Sequence, residues 1–159
     1  MNDIPPEKLS VKLLAEILDP FRTLTRLSDP DGKHEITHRM IQTCLDENCL
    51  NPNYYLGSND CDNKGSEWTL LDHAARIAWL VVNGWTDPIE LDFGIPSLGH
   101  SWYPLLDGHH RLAAAIFRQN PFILANCSGS VEEIERFRWT NYEDDADAQG
   151  NQSSRDTTP

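Results

Sequence analysis

This chain is short of positive charge: 13 lysines and arginines stand against 25 aspartates and glutamates, for a net charge of −12. Tight non-specific binding to DNA needs lysines and arginines to displace condensed counterions, so any nucleic-acid contact is expected to be weak and local. Apolar runs long enough to span a bilayer are missing; the longest are cut by Arg76 and Asn83, and no membrane association is expected. The stretch Met1-Asn2-Asp3-Ile4-Pro5-Pro6-Glu7-Lys8 has no basic region followed by an apolar one, so no secretory signal is read there. The four cysteines, Cys44, Cys49, Cys61 and Cys127, form no Cys-x-x-Cys pair and no zinc-ribbon spacing. Free thiols in a cytoplasmic protein are the expectation.

What the chain does have is periodic apolar pattern with clear stops. At 159 residues and 39% hydrophobic content, it is expected to form one globular domain with a tail. Leu9, Leu13, Leu14, Ile17 and Leu18 predict a helix over 7–18, stopped by Asp19-Pro20. Asp29-Pro30-Asp31-Gly32 is a turn, and Ile36, Met40, Ile41, Cys44 and Leu45 predict a second helix over 35–48. Residues 49–66, rich in Asn, Asp, Gly and Ser, read as a long loop. Thr69 and Asp72 form a capping box for a helix running to Val82, closed by a left-handed cap at Asn83-Gly84. A period-2 strand follows at 89–93, then a loop, then a strand at 102–106 that Pro104 assigns to a sheet edge or a bulge. A helix over 109–118, a short strand at 122–125 and a helix capped by Ser130 complete the pattern. Beyond Asn141 the chain is acidic and holds no large apolar residue after Tyr142, so it is expected to be disordered.

The densest chemistry lies in Leu105-Leu106-Asp107-Gly108-His109-His110-Arg111-Leu112-Ala113-Ala114-Ala115-Ile116. A strand, a tight turn and a helix start bring backbone N–H groups, the positive end of a helix dipole and cationic side chains to one point. Such a point suits a phosphate. Gly108 lets backbone approach a ligand closely. His109 and His110 project about 100° apart on a helix, so one can face the ligand while the other packs or moves a proton. Arg111 offers a planar fork to phosphate. Asp107 can cap the helix, orient a histidine or hold a metal.

The order helix, strand, loop, strand, Asp-Gly-His-His-Arg box, helix, strand, helix resembles the ParB/sulfiredoxin superfamily across roughly residues 67–140, about half the chain. The resemblance is carried by Ile77 to Trp85, by Pro88-Ile89-Glu90-Leu91 and by Leu106 to Ala115. In ParB proteins a Gly-x-x-Arg box at the corresponding place binds nucleotide phosphates. In sulfiredoxins a Gly-Cys-His-Arg segment holds ATP, and a free-serine kinase branch carries Asp-Gly-His-x-Arg. The resemblance therefore implies Gly108, His109, His110 and Arg111 as phosphate-facing residues. His109 stands where sulfiredoxins place their reactive cysteine, which argues against peroxiredoxin repair. The Asn-containing third box of CTP-switching ParB proteins is missing, with Glu132 to Arg136 only a loose echo, and no helix-turn-helix pattern follows.

Other constellations compete with that box. His34-Glu35-Ile36-Thr37-His38 matches the HExxH pattern of zinc hydrolases, but it lies at a frayed helix start between Lys33 and Arg39 and has no third ligand at a characteristic spacing. An exposed polar helix start is the better account, and no metal ligands are assigned. Glu90 and Asp92 alternate with apolar residues and read as the solvent face of a strand, or as a carboxylate reaching the phosphate site. His100 reads as a loop histidine or a further imidazole near the site. Trp79, Trp85 and Trp102 read as packing residues, unless one of them, or Tyr103, stacks on a nucleobase.

The expected architecture is an α/β (α+β) domain with a ParB/sulfiredoxin-like core, a small mixed sheet and flanking helices. Residues 1–66 form a helical N-terminal extension and loop, 67–140 the core and 141–159 the tail. The expected function is binding of a nucleoside triphosphate with Mg²⁺, followed by phosphohydrolase, phosphotransferase or nuclease-type chemistry. In it Arg111 and helix amides hold phosphate, His109 or His110 serves as acid or base, and Asp107 or Glu90 holds metal or water. The alternative is a non-catalytic plasmid- or phage-type module that occupies a protein or nucleic-acid-handling partner.

Overall fold

The computed structural model describes residues 5–55, 68–94 and 105–140. The expectations for the tail after Asn141, for residues 56–66 of the long loop, for the start of the 102–106 strand, and for Cys61, His100, Trp102 and Tyr103 lie outside those residues.

The N-terminal segment departs from the expected single helix. Glu7–Ser10 is a strand, β1, and Val11–Ile17 is a helix, α1, whose N-cap Ser10 accepts a hydrogen bond from the Leu13 amide at 3.3 Å. The apolar spacing misleads because Leu9 is buried through strand pairing with Ile123, while Leu14 is buried through the helix. Both residues reach the same core. Asp19-Pro20 ends α1 as expected but also starts a further helix, α2 at Pro20–Ser28, where Asp19 accepts from the Arg22 amide at 2.9 Å and Pro20 occupies the first turn. Proline fits there because the first-turn amides have no intrahelical acceptor.

Local capping chemistry explains the next boundaries. Helix α3 spans His38–Asp46, with Thr37 accepting from the Met40 amide at 3.2 Å. It starts later than expected, which removes His34 and Glu35 from the helix. Helix α4 spans Leu70–Asn83, and both halves of the Thr69–Asp72 capping box are formed. Gly84 closes it with φ +73° but an extended ψ of −167°, so the cap is not the left-handed helical one expected. Then follow β2 (Ile89–Asp92), β3 (Leu105–Asp107), helix α5 (His109–Phe117), β4 (Phe122–Ser128) and helix α6 (Val131–Phe137). Among the described residues, six helices and one mixed four-stranded sheet make an α+β fold.

The strand order is β1-β4-β2-β3. β4 pairs antiparallel with β1 and parallel with β2, and β2 pairs antiparallel with β3, which lies at the edge as Pro104 suggested. Period-2 alternation sends Leu9, Ile89, Leu91, Leu105, Ile123 and Ala125 into a core completed by Leu14, Phe93, Leu112 and Phe137. Burial of each large apolar side chain contributes about 1.5–3 kcal/mol. A second core joins α2, α3, α4 and α5 through Leu24, Ile41, Cys44, Ile77 and Leu80.

Helix α5 belongs to both cores. Leu112 and Ala115 face the sheet while Ala113 and Ala114 face the other helices. The alanine run lets several elements approach one helix closely. That packing holds the start of α5 in place between the edge of the sheet and α4. The segment before residue 67 contributes β1 to the sheet and α2 and α3 to the second core. No helix among the described residues is long and apolar enough to cross a membrane.

Candidate functional site

The turn from β3 into α5 requires glycine at position 108. Gly108 has φ +102°, and a Cβ there would lie 2.5 Å from Ile89 Cγ2 and 3.2 Å from Ile89 Cα. The close approach expected for a ligand is therefore made to β2. Gly108 is also the N-cap of α5, and no side chain among the described residues caps the helix. Of the roles open to Asp107, helix cap is not the one it takes: it is the last residue of β3 and pairs with Arg111. The amides of the first turn are therefore left for solvent or a ligand.

Arg111 does more structural work than its motif suggests. Its Nη1 donates to the carbonyls of Asp87 at 2.9 Å and Pro88 at 2.8 Å, and its Nη2 donates to Asp107. Two of the five N–H groups of its fork thus bind the entry to β2 onto the start of α5, and a third binds the end of β3. The side chain is 15% exposed and still lines the cleft described below.

The two histidines separate in role. His110 and His73, from α4, share a hydrogen bond between His110 Nε2 and His73 Nδ1 at 2.8 Å. Their planes lie 17° apart and their centroids 5.0 Å apart, an edge-to-edge pair. Tyr55 and Trp68 pack around both rings. Burial pushes His73 down to about 4, with Asp72 opposing. Burial, assisted by the charges of His73, Arg76, His109 and Arg111, pushes His110 down to about 3. Both are neutral at physiological pH, and one of the two facing nitrogens carries the shared hydrogen. His73 Nε2 is buried and finds no partner among the described residues.

The His109 side chain makes no hydrogen bond to a described residue. It lines the cleft, and burial lowers its pKa against the opposing pull of Asp107. It is therefore the imidazole of the box left open to a ligand in the cleft.

A cleft of about 1010 Å³ gathers six of the residues singled out in the sequence for phosphate chemistry: Glu90, Asp107, Gly108, His109, His110 and Arg111. Glu90 and Asp107 are cross-strand partners. They lie on the sheet face turned away from the core, where Asn126 of β4 donates to Glu90 at 2.7 Å. Asp92, on the same face, accepts from the Gly94 amide at 2.9 Å and does not line the cleft. The sequence reading missed Tyr54, His73, Arg76 and Asn126. His73 and Arg76 carried a signal, since they fall on the same 3–4 spacing as the buried Ile77 and Leu80. Trp79 stacks against the Arg76 guanidinium, and Trp85 lies under that of Arg118. Tyr54, 73% exposed, presents the open ring of the cleft.

The HExxH residues are not brought together on one helix face. His34 bonds Asp29 through its Nδ1 at 3.2 Å, whereas the His38 ring packs between Phe21 and Phe117. Among the described residues, no group of three or more His, Cys, Asp or Glu side chains could hold a metal ion. A cation that arrives with phosphate needs less, since Mg²⁺ is commonly held by one or two carboxylates plus phosphate oxygens. Glu90 and Asp107 fit that smaller demand. Comparison of the chain with protein-family models, curated proteins and solved structures finds no match.

Proposed function

We propose that the cleft binds a nucleoside triphosphate and that the protein is a ParB/sulfiredoxin-like phosphohydrolase, with nuclease-type cleavage as the same chemistry on a phosphodiester. The observation that carries this reading is the uncapped start of α5, opening with His109 and Arg111 into a cleft large enough for a nucleotide. Free first-turn amides and the helix dipole would hold phosphate oxygens. The remaining N–H groups of Arg111 would add a charge-assisted bond. Glu90, oriented by Asn126, would hold Mg²⁺, which when bound neutralises phosphate charge. His109 would take the proton from an attacking water as the oxygen–phosphorus bond forms, and return it to the leaving oxygen as the other bond breaks. His110, tied to His73, would serve as support.

The test is calorimetry with ATP and other nucleotides, with and without Mg²⁺, alongside release of phosphate. His109→Gln should retain binding and lose roughly a hundredfold or more in turnover, the usual scale for a positioned acid or base. Failure of every nucleotide to bind at millimolar concentration ends the reading. The exposed Leu27, Tyr54 and Leu106 at the cleft favour one alternative, a non-catalytic module whose partner covers that rim. Binding without any turnover would favour it.

A further inference from the structure

Arg76 is 4% exposed, yet no carboxylate among the described residues pairs with it. Its natural partner on the helix surface is Asp72, four residues earlier. The Asp72 Oδ2 is spent instead on the amide and hydroxyl of Thr69, at 2.8 Å each. Arg76 Nη1 donates to the carbonyls of Pro52 at 2.8 Å and Asn51 at 3.5 Å. The Tyr54 and Trp79 rings each lie 4.7 Å from its guanidinium carbon.

Carbonyls and aromatic faces help a cation, but they bring no net negative charge. Burying a cation without one is costly; the Tyr54 hydroxyl favours the charge in part, and Arg111 lies near enough to disfavour it further. The chain is rich in acidic residues, yet none of those among the described residues supplies a counter-charge to Arg76. Arg76 also lines the same cleft as the open amides of α5 and Arg111.

We propose that Arg76 is the second cation of a site for a diphosphate or longer phosphate chain. One phosphate lies at the start of α5 with Arg111, and the next at Arg76. This rests on reading the cleft as a phosphate site. It adds that a single phosphate is not enough to fill it, and that α4 as well as the Asp-Gly-His-His-Arg box recognises the ligand. A nucleoside diphosphate and inorganic pyrophosphate share this chemistry.

The test is calorimetry on the full chain without added magnesium, using orthophosphate, pyrophosphate and ADP. Pyrophosphate should bind at least about tenfold more tightly than orthophosphate, the scale of one charge-assisted bond. Arg76→Gln should remove that advantage while leaving orthophosphate binding in place. Equal affinity for the two anions in the wild type overturns the proposal. So does an Arg76→Gln protein that keeps the full pyrophosphate affinity. Should loss of the Pro52 contact prevent Arg76→Gln from folding, Arg76→Lys keeps the charge but not the fork. It should cost several-fold on pyrophosphate alone, and no loss there overturns the proposal. ADP separates the two readings. An Arg76-dependent preference for pyrophosphate with no ADP or ATP binding sinks the nucleotide and leaves this site. Nucleotide binding that both Arg76 variants leave unchanged does the reverse.

Discussion

His73 and His110 enter the folded state without their protons, so acid should weaken the fold well above the carboxylate range. An ordinary histidine titrates near 6.5, whereas these two are held to about 4 and about 3, chiefly by burial. As pH falls below 6.5, the unfolded chain takes up protons that the folded chain refuses. Stability therefore falls as pH falls, and the loss is complete only below the folded values. At pH 5, about 1.5 pH units below the ordinary value, each imidazole costs roughly 2 kcal/mol, or roughly 4 kcal/mol for the pair. Against a typical total of about 5–15 kcal/mol this is a large share. It corresponds to a melting point lower by about 8–16 °C at pH 5 than at pH 7.5. Differential scanning calorimetry at matched ionic strength measures it. Replacing the pair together, His73→Leu with His110→Leu, should flatten the dependence to what His109 contributes. A melting point that moves by less than about 2 °C between the two pH values would refute the reasoning, as would an unchanged slope in the double variant.

The backbone and the thiols give further checks. Gly108→Ala should destabilise by about 3 kcal/mol, since it adds a left-handed non-glycine residue and a Cβ that collides with Ile89; a urea midpoint equivalent to less than about 1 kcal/mol would contradict the packing described. Burial, with Glu7 and Glu90 adding to it, pushes the Cys127 thiol up to about 11, while Cys49 is exposed. Iodoacetamide at pH 8 should therefore alkylate Cys49 well before Cys127, and mass spectrometry that finds the opposite order would show that β4 opens readily.

Much of the local structure is written in short-range chemistry. Thr69 with Asp72, Ser130 with the Glu133 amide, and Asp19 with Pro20 act over three or four residues, so they are readable one segment at a time. The box from Asp107 to Arg111 is legible for the same reason, as is the α+β class, which follows from periods of 2 and 3.6 in their order. Where periodicity serves two structures equally, it fails. Leu9 is buried whether 7–10 is strand or helix, and only pairing with β4, more than a hundred residues later, makes it a strand. His34 and His38 have helical spacing, but whether a helix covers both depends on where the chain is capped, and Thr37 caps it between them.

The roles within the cleft belong to the tertiary structure. His110 is distinguished from His109 by His73, 37 residues away. Arg111 becomes a tether because the carbonyls of Asp87 and Pro88 lie across from it. Arg76 matters because it is buried with no carboxylate partner among the described residues, a property of the packed molecule and not of any spacing. Residue type and spacing determine what each side chain is able to do. Burial and distant partners decide which of those abilities is left for a ligand, because a hydrogen bond or charge already satisfied within the protein is no longer available outside it.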